Sequence, residues 1–126
     1  MQNITPTLTT RAPIIQSYGP AGFRISGVDY ASSVLVTADT VIPLTIRTLD
    51  HITPDLFLPV AESQPPIEIL LIGTGASHAL LSSDLRAVLK AKGFNPDAMT
   101  TGAACRTFTI LVSEERRVAA LLLLPL

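Results

Sequence analysis

Two apolar runs that do not alternate in polarity set the strongest limit on how this chain can fold. Residues 67–72 read Ile-Glu-Ile-Leu-Leu-Ile, and residues 118–124 read Val-Ala-Ala-Leu-Leu-Leu-Leu. A strand with one wet face alternates apolar and polar residues, whereas a strand covered on both faces is apolar at nearly every position. Both runs are therefore expected as adjacent central strands of a sheet with helices on either side. The longest apolar stretch, residues 118–126, falls well short of the roughly 20 residues needed to cross a bilayer as a helix. The mean hydropathy of +0.46 then reads as a dense core. The fold class that follows is three-layer α/β, a mixed central sheet flanked by helices, with a β-rich N-terminal part.

A chain of 126 residues holds one core, and burying roughly two-thirds of its unfolded surface stabilises it without disulfides or a structural metal. Residues 1–13 are polar, Thr-rich and patternless, an expected flexible tail ahead of a single α/β domain over 14–126. Short strands are expected over 14–18 and 22–26, with a turn over 27–29. Residues 33–37 and 40–47 read as a hairpin around Ala38 and Asp39. Pro43 cannot donate to a ladder, which sends the second arm to a sheet edge or puts a bulge in it. Thr53, Pro54 and Asp55 supply N-cap, first-turn and dipole signals for a helix that Pro59 keeps short. Ser83 is expected to cap a helix that ends at Gly93. A brief strand follows over 94–99. Thr101 is expected to cap a third helix over about 103–113, with Ala104, Phe108 and Leu111 on one face. The order is a β-rich start followed by β-α-β-α-β.

Composition removes several function classes. Nine Lys plus Arg stand against ten Asp plus Glu, a formal net charge of −1, and aromatics make up 5% with no Trp. The chain has neither the basic excess to neutralise phosphates nor a base-stacking surface, so no nucleic-acid partner is expected. The lone Cys105 cannot form an internal disulfide, and residues 1–13 lack the apolar segment of a secretory signal; a cytoplasmic protein is expected, reaching membranes only through partners. His51, His78 and Cys105 match no zinc-ligand spacing. There is no Gly-x-Ser-x-Gly elbow and no P-loop, and the dinucleotide fingerprint fails because His78 stands at its third glycine. No metal, cofactor or catalytic set is expected.

What remains is a candidate cleft. Gly73, Thr74 and Gly75 follow the first apolar run, at the carboxyl end of a strand, where α/β proteins gather ligands. Their amides, with the start of the third helix at Thr101 and Gly102, could receive an anion or a partner's carboxylate. Cys105 and Arg106 lie in the first turns of that helix, and Arg116 is placed at the rim. Each feature has a plainer reading. Glycines serve tight turns, and a cysteine beside an apolar stripe is more often packing than nucleophile.

Three stretches together carry a resemblance. They are Gly22-Phe23-Arg24-Ile25-Ser26-Gly27 with Ser33-Val34-Leu35-Val36, the run 67–72 with Gly73-Thr74-Gly75, and Met99-Thr100-Thr101-Gly102-Ala103-Ala104-Cys105-Arg106-Thr107 through to Ala120. Over about residues 14–125 the chain resembles the complex I assembly factor 3 and adipogenesis-associated domain family, which has many uncharacterised bacterial members. The resemblance implies a three-layer α/β fold, no established catalytic residues or cofactor, and a role in assembly through protein contacts. Four positions depart from the family's usual pattern: Thr100 for Asp, Phe108 for Tyr, Thr109 for Asn and Glu115 for Gly. The expected function is a non-catalytic protein-binding or assembly module. The alternative is a small-molecule or anion-binding protein, or an enzyme, using the cleft.

Overall fold

The computed structural model describes residues 12–126; the expected tail lies outside them except for Ala12 and Pro13. Three strands come first, β1 (Ile15–Gly19), β2 (Gly22–Ile25) and β3 (Val28–Tyr30), in one antiparallel sheet. Ser26 at φ 49° and Gly27 at φ 83° make the second turn. A two-residue type I′ hairpin turn, whose twist matches that of the strands, needs positive φ at both central positions. The turn is therefore shorter than the expected 27–29. Val28 and Asp29 instead begin β3, where Asp29 accepts a hydrogen bond from Arg24 across the ladder at 2.9 Å.

The expected hairpin forms from β4 (Ser33–Val36) and β5 (Val41–Leu44). Thr37 ties its turn, donating to Asp39 at 3.0 Å and accepting from the amides of Asp39 and Thr40. The helix expected after Thr53 is a 3-10 turn (Pro54–Phe57) running into the single turn α1 (Leu58–Ala61). Thr53 makes no side-chain capping bond there. Pro59 sits in the first turn of α1, where a missing amide hydrogen is tolerated.

From there β6 (Ile69–Gly73), α2 (Ser83–Ala91), β7 (Pro96–Met99), α3 (Thr101–Ser113) and β8 (Val118–Leu122) follow in turn. The five-stranded sheet has the order β5-β4-β8-β6-β7, with β8 parallel to β6 and antiparallel to β4. Pro43 lies on β5, an edge as expected. The two crossovers step in opposite directions along the sheet, so with the usual right-handed sense their helices fall on opposite faces. One face carries α3 with Phe23, Ile25 and Phe108; the other carries Phe57, Leu89 and Phe94. β8 serves both. Val118, Ala120 and Leu122 join the α3 face, Ala119 and Leu121 the other, and all five are 0% exposed. That double burial is why the run carries no polar alternation.

The cap of α2 is Ser82, one residue before the expected Ser83, with its Oγ accepting from the Leu85 amide at 3.1 Å. The helix ends as expected. Gly93 takes φ 91°, and the amides of Gly93 and Phe94 return to the carbonyls of Lys90 and Leu89, a Schellman motif. Among the described residues no helix is long and apolar enough to cross a membrane.

Candidate functional site

Gly73, Thr74 and Gly75 lie where expected, at the carboxyl end of β6 beside the start of α3, but their polar groups are spent inward. The Thr74 amide donates to the Met99 carbonyl at 2.8 Å, and the Gly75 amide donates to Thr101 Oγ1 at 2.9 Å. That same hydroxyl donates to the Leu123 carbonyl at 2.7 Å, and the Thr101 amide donates to the Gly75 carbonyl at 2.9 Å. The Leu123 amide closes the set on the Gly73 carbonyl at 3.1 Å. One fully buried threonine thus joins the turn, the helix start and the exit of β8. Gly73 makes room for it: a Cβ there would stand 2.9 Å from Thr101 Cα. Gly75 meets a different need, holding φ at +104°.

Thr101 is therefore not the cap of α3. Thr100 is, with its Oγ1 accepting from the Ala103 amide at 3.2 Å. A capping side chain folds back over its own helix, and the Thr101 hydroxyl is already committed to two partners in the core.

Gly102, Cys105 and Arg106 meet β1. The Tyr18 ring lies against Gly102, where an added Cβ would come within 2.9 Å of the hydroxyl. Arg106 Nη1 donates to that hydroxyl at 2.9 Å. Ile15 and Tyr18 of β1 and Cys105, Arg106, Thr109 and Ile110 of α3 line a groove of about 360 Å³. Cys105 is buried, and desolvation pushes its thiol up to about 12, against a weaker downward pull from the Arg106 guanidinium. A thiol raised that far stays protonated at neutral pH. Arg116 stands apart, past the far end of α3, where its Nε donates to Glu68 at 3.2 Å. The Arg117 amide also donates to Glu68; that bond first, and the Arg116 side chain second, hold the carboxyl below its usual range.

The predicted residues thus fall into three places: Gly73, Thr74, Gly75 and Thr101 in a closed knot, Gly102, Cys105 and Arg106 along a groove, and Arg116 elsewhere. Sequence reasoning missed Tyr18, Ile15 and Ile110. Two signals pointed to them: the small residue Gly102 at a helix start, and Ile110, an apolar residue off the buried stripe of α3.

Two of the four departures from the family pattern are helix-end positions. Thr100 is the N-cap, a place that Asp fills equally well. Glu115 holds φ 61° in a second Schellman motif, its amide and that of Arg116 returning to Val112 and Leu111. Glycine is the favoured residue there. Phe108 is fully buried, and Thr109 turns its hydroxyl to the Cys105 carbonyl at 3.1 Å.

Comparison with known proteins adds the family. The NADH dehydrogenase (ubiquinone) 1 alpha subcomplex assembly factor 3 of Danio rerio is 31% identical over 112 residues, covering 89% of this chain and 64% of the relative. An uncharacterized protein of Rhodobacter capsulatus is 36% identical over 109 residues, covering 86% of this chain and 82% of the relative. The chain therefore spans slightly less than two-thirds of the fish assembly factor it matches. The crystal structure of an outer membrane protein from Bartonella henselae superposes with a TM-score of 0.81 at 35% identity, covering 90% of this chain and 95% of that one. A family model described as "Protein of unknown function (DUF498/DUF598)" matches residues 15–123. With a match of that extent, and with assembly-factor relatives of the kind that the three sequence stretches resembled, the chain belongs to this family.

Proposed function

We propose that this protein is a non-catalytic binding module that assists the assembly of a multisubunit protein complex, with residues 14–126 acting as one unit on the cytoplasmic side. The observation that carries the reading is the closure of the Gly73–Gly75 turn on Thr101. An α/β protein that binds a small anion at the carboxyl edge of its sheet presents free amides there. Here the amides of Thr74 and Gly75 are held by Met99 and Thr101. An apolar groove left open lies elsewhere, along β1 and α3. The assembly-factor names of the relatives support the same reading and point to subunits of a respiratory NADH dehydrogenase, or proteins that help build it, as clients.

The test is affinity capture of the tagged protein from its native host, with mass spectrometry of both proteins and small molecules. The expected result is enrichment of NADH dehydrogenase subunits or of proteins needed to build that complex. Recovery of a stoichiometric small molecule with no protein client would overturn the reading in favour of ligand binding.

A further inference from the structure

The three-stranded sheet does not finish covering α3. Ile15 pairs with Ile25 and Tyr18 with Phe23 across the ladder, so these four side chains share the face turned toward the core. Phe23 and Ile25 are buried, whereas Tyr18 on the outermost strand is 42% exposed and Ile110 on α3 is 56% exposed. Among the described residues β1 pairs with β2 alone, which leaves the backbone groups of its outer edge open. The groove beside that edge has Cys105 in its floor and Ile15, Tyr18 and Ile110 as walls. Arg106 stands in it with five N–H donors. One goes to Tyr18, and among the described residues no carboxylate pairs with the guanidinium.

The other sheet edges are poorer templates. β5 carries Pro43, β7 opens with Pro96, and β3 is three residues long with Asp29 already ion-paired. Proline removes a ladder donor and blunts an edge. β1, Ile-Gln-Ser-Tyr-Gly, carries neither proline nor a charged side chain, and the irregular register between Ile15 and Ser17 is what brings Ile15 and Tyr18 to the same face.

We propose that the β1–α3 groove takes an extended segment of a partner protein, which adds beside β1 as a fourth strand. It lays apolar side chains on Ile15, Tyr18 and Ile110 and sets an acidic side chain on Arg106. The inference rests on the protein-binding reading above and specifies its surface. Backbone pairing supplies affinity that is indifferent to sequence, while alternate side chains and the charge-assisted bond supply selectivity. A second copy of this chain fits less well, because its β1 brings no carboxylate to Arg106.

The test selects random displayed peptides against the intact protein and measures the synthesised winners by fluorescence polarisation and hydrogen exchange. Selected peptides should alternate apolar residues around an acidic one, slow exchange in β1, and lose affinity when their pairing amides are methylated. Arg106→Glu should weaken them by about tenfold or more and remove the preference for an acid over its amide. Ile110→Asp should abolish binding; both side chains are exposed, and an unchanged melt verifies that each variant folds. Four outcomes would overturn the proposal: no selected peptide, indifference to both substitutions, protection of β5 or β7 instead of β1, or a wild-type dimer that Ile110→Asp dissociates. Client capture separates the two readings. Clients retained by Ile110→Asp leave the assembly role standing and remove this groove; a selected peptide without any cellular client does the reverse.

Discussion

Replacing Thr101 with valine keeps the shape of the side chain and deletes only its hydroxyl. Two groups then lose their partner, the Gly75 amide and the Leu123 carbonyl, both of which bond that hydroxyl in the core. A buried donor or acceptor left without a partner costs about 1–3 kcal/mol, and the gain from burying a methyl in place of a hydroxyl is smaller, so a net loss of about 3 kcal/mol is expected. Unfolding entropy near 2.1 cal/mol/K per residue gives about 0.26 kcal/mol/K for a chain of this length, so the midpoint should fall by about 11 °C. Thr101→Ser retains the hydroxyl and loses one methyl, a change of about 1 kcal/mol and about 4 °C. Thermal melts followed by circular dichroism, with urea titrations as a second measure, should rank wild type above serine and serine above valine. If the valine variant melts at or above the serine variant, the hydroxyl does not hold the knot together.

Glu115→Gly should raise stability by about 0.5–1 kcal/mol, since a left-handed residue with a Cβ is replaced at a helix end built for glycine; a lower melting temperature would contradict this. Gly73→Ala should lower stability by about 1–3 kcal/mol, because the added carbon meets backbone 2.9 Å away at Thr101; an unchanged midpoint would show that α3 shifts freely. Cys105 predicts an alkaline loss of stability. Burial pushes its folded thiol up to about 12 from the 9.0 of a free thiol, so its contribution is complete below about pH 9 and should decline by about 1.4 kcal/mol per unit as pH rises toward about 12. Urea titrations of wild type and Cys105→Ala across that range should show the steeper decline in wild type, and equal slopes would refute the assignment.

The central strands were legible because burial on both faces leaves a mark in composition, and the end of α2 because Gly93 is the residue that a left-handed helix cap selects. The caps of α2 and α3 were each off by one residue. Thr100 and Thr101 are both competent caps, as are Ser82 and Ser83, and propensity cannot rank identical neighbours. The choice at α3 is made by Gly75 and Leu123, which are 26 and 22 residues from Thr101. The groove was hidden for a similar reason. Arg106 and Tyr18 are 88 residues apart, and no local pattern in β1 says which helix it will meet. Gly102 was placed with the glycine turn in one anion-receiving cleft, when the neighbour it admits is a tyrosine ring.

The place of β8 bears on how the molecule comes together. It is the last of the described strands in sequence, yet it fills the middle of the five-stranded sheet, with β4 on one side and β6 on the other. The Leu124 amide just past it bonds Ser33, 91 residues earlier. Without β8 the pairings left in this sheet are β4 with β5 and β6 with β7, and the inner edge of each is uncovered. Closing so distant a pairing is slow compared with forming a hairpin or a helix. Until it closes, the same two edges that wait for β8 are open to strands of other chains. The strand that both faces of the core share is therefore also the one on which the protection of both inner edges depends.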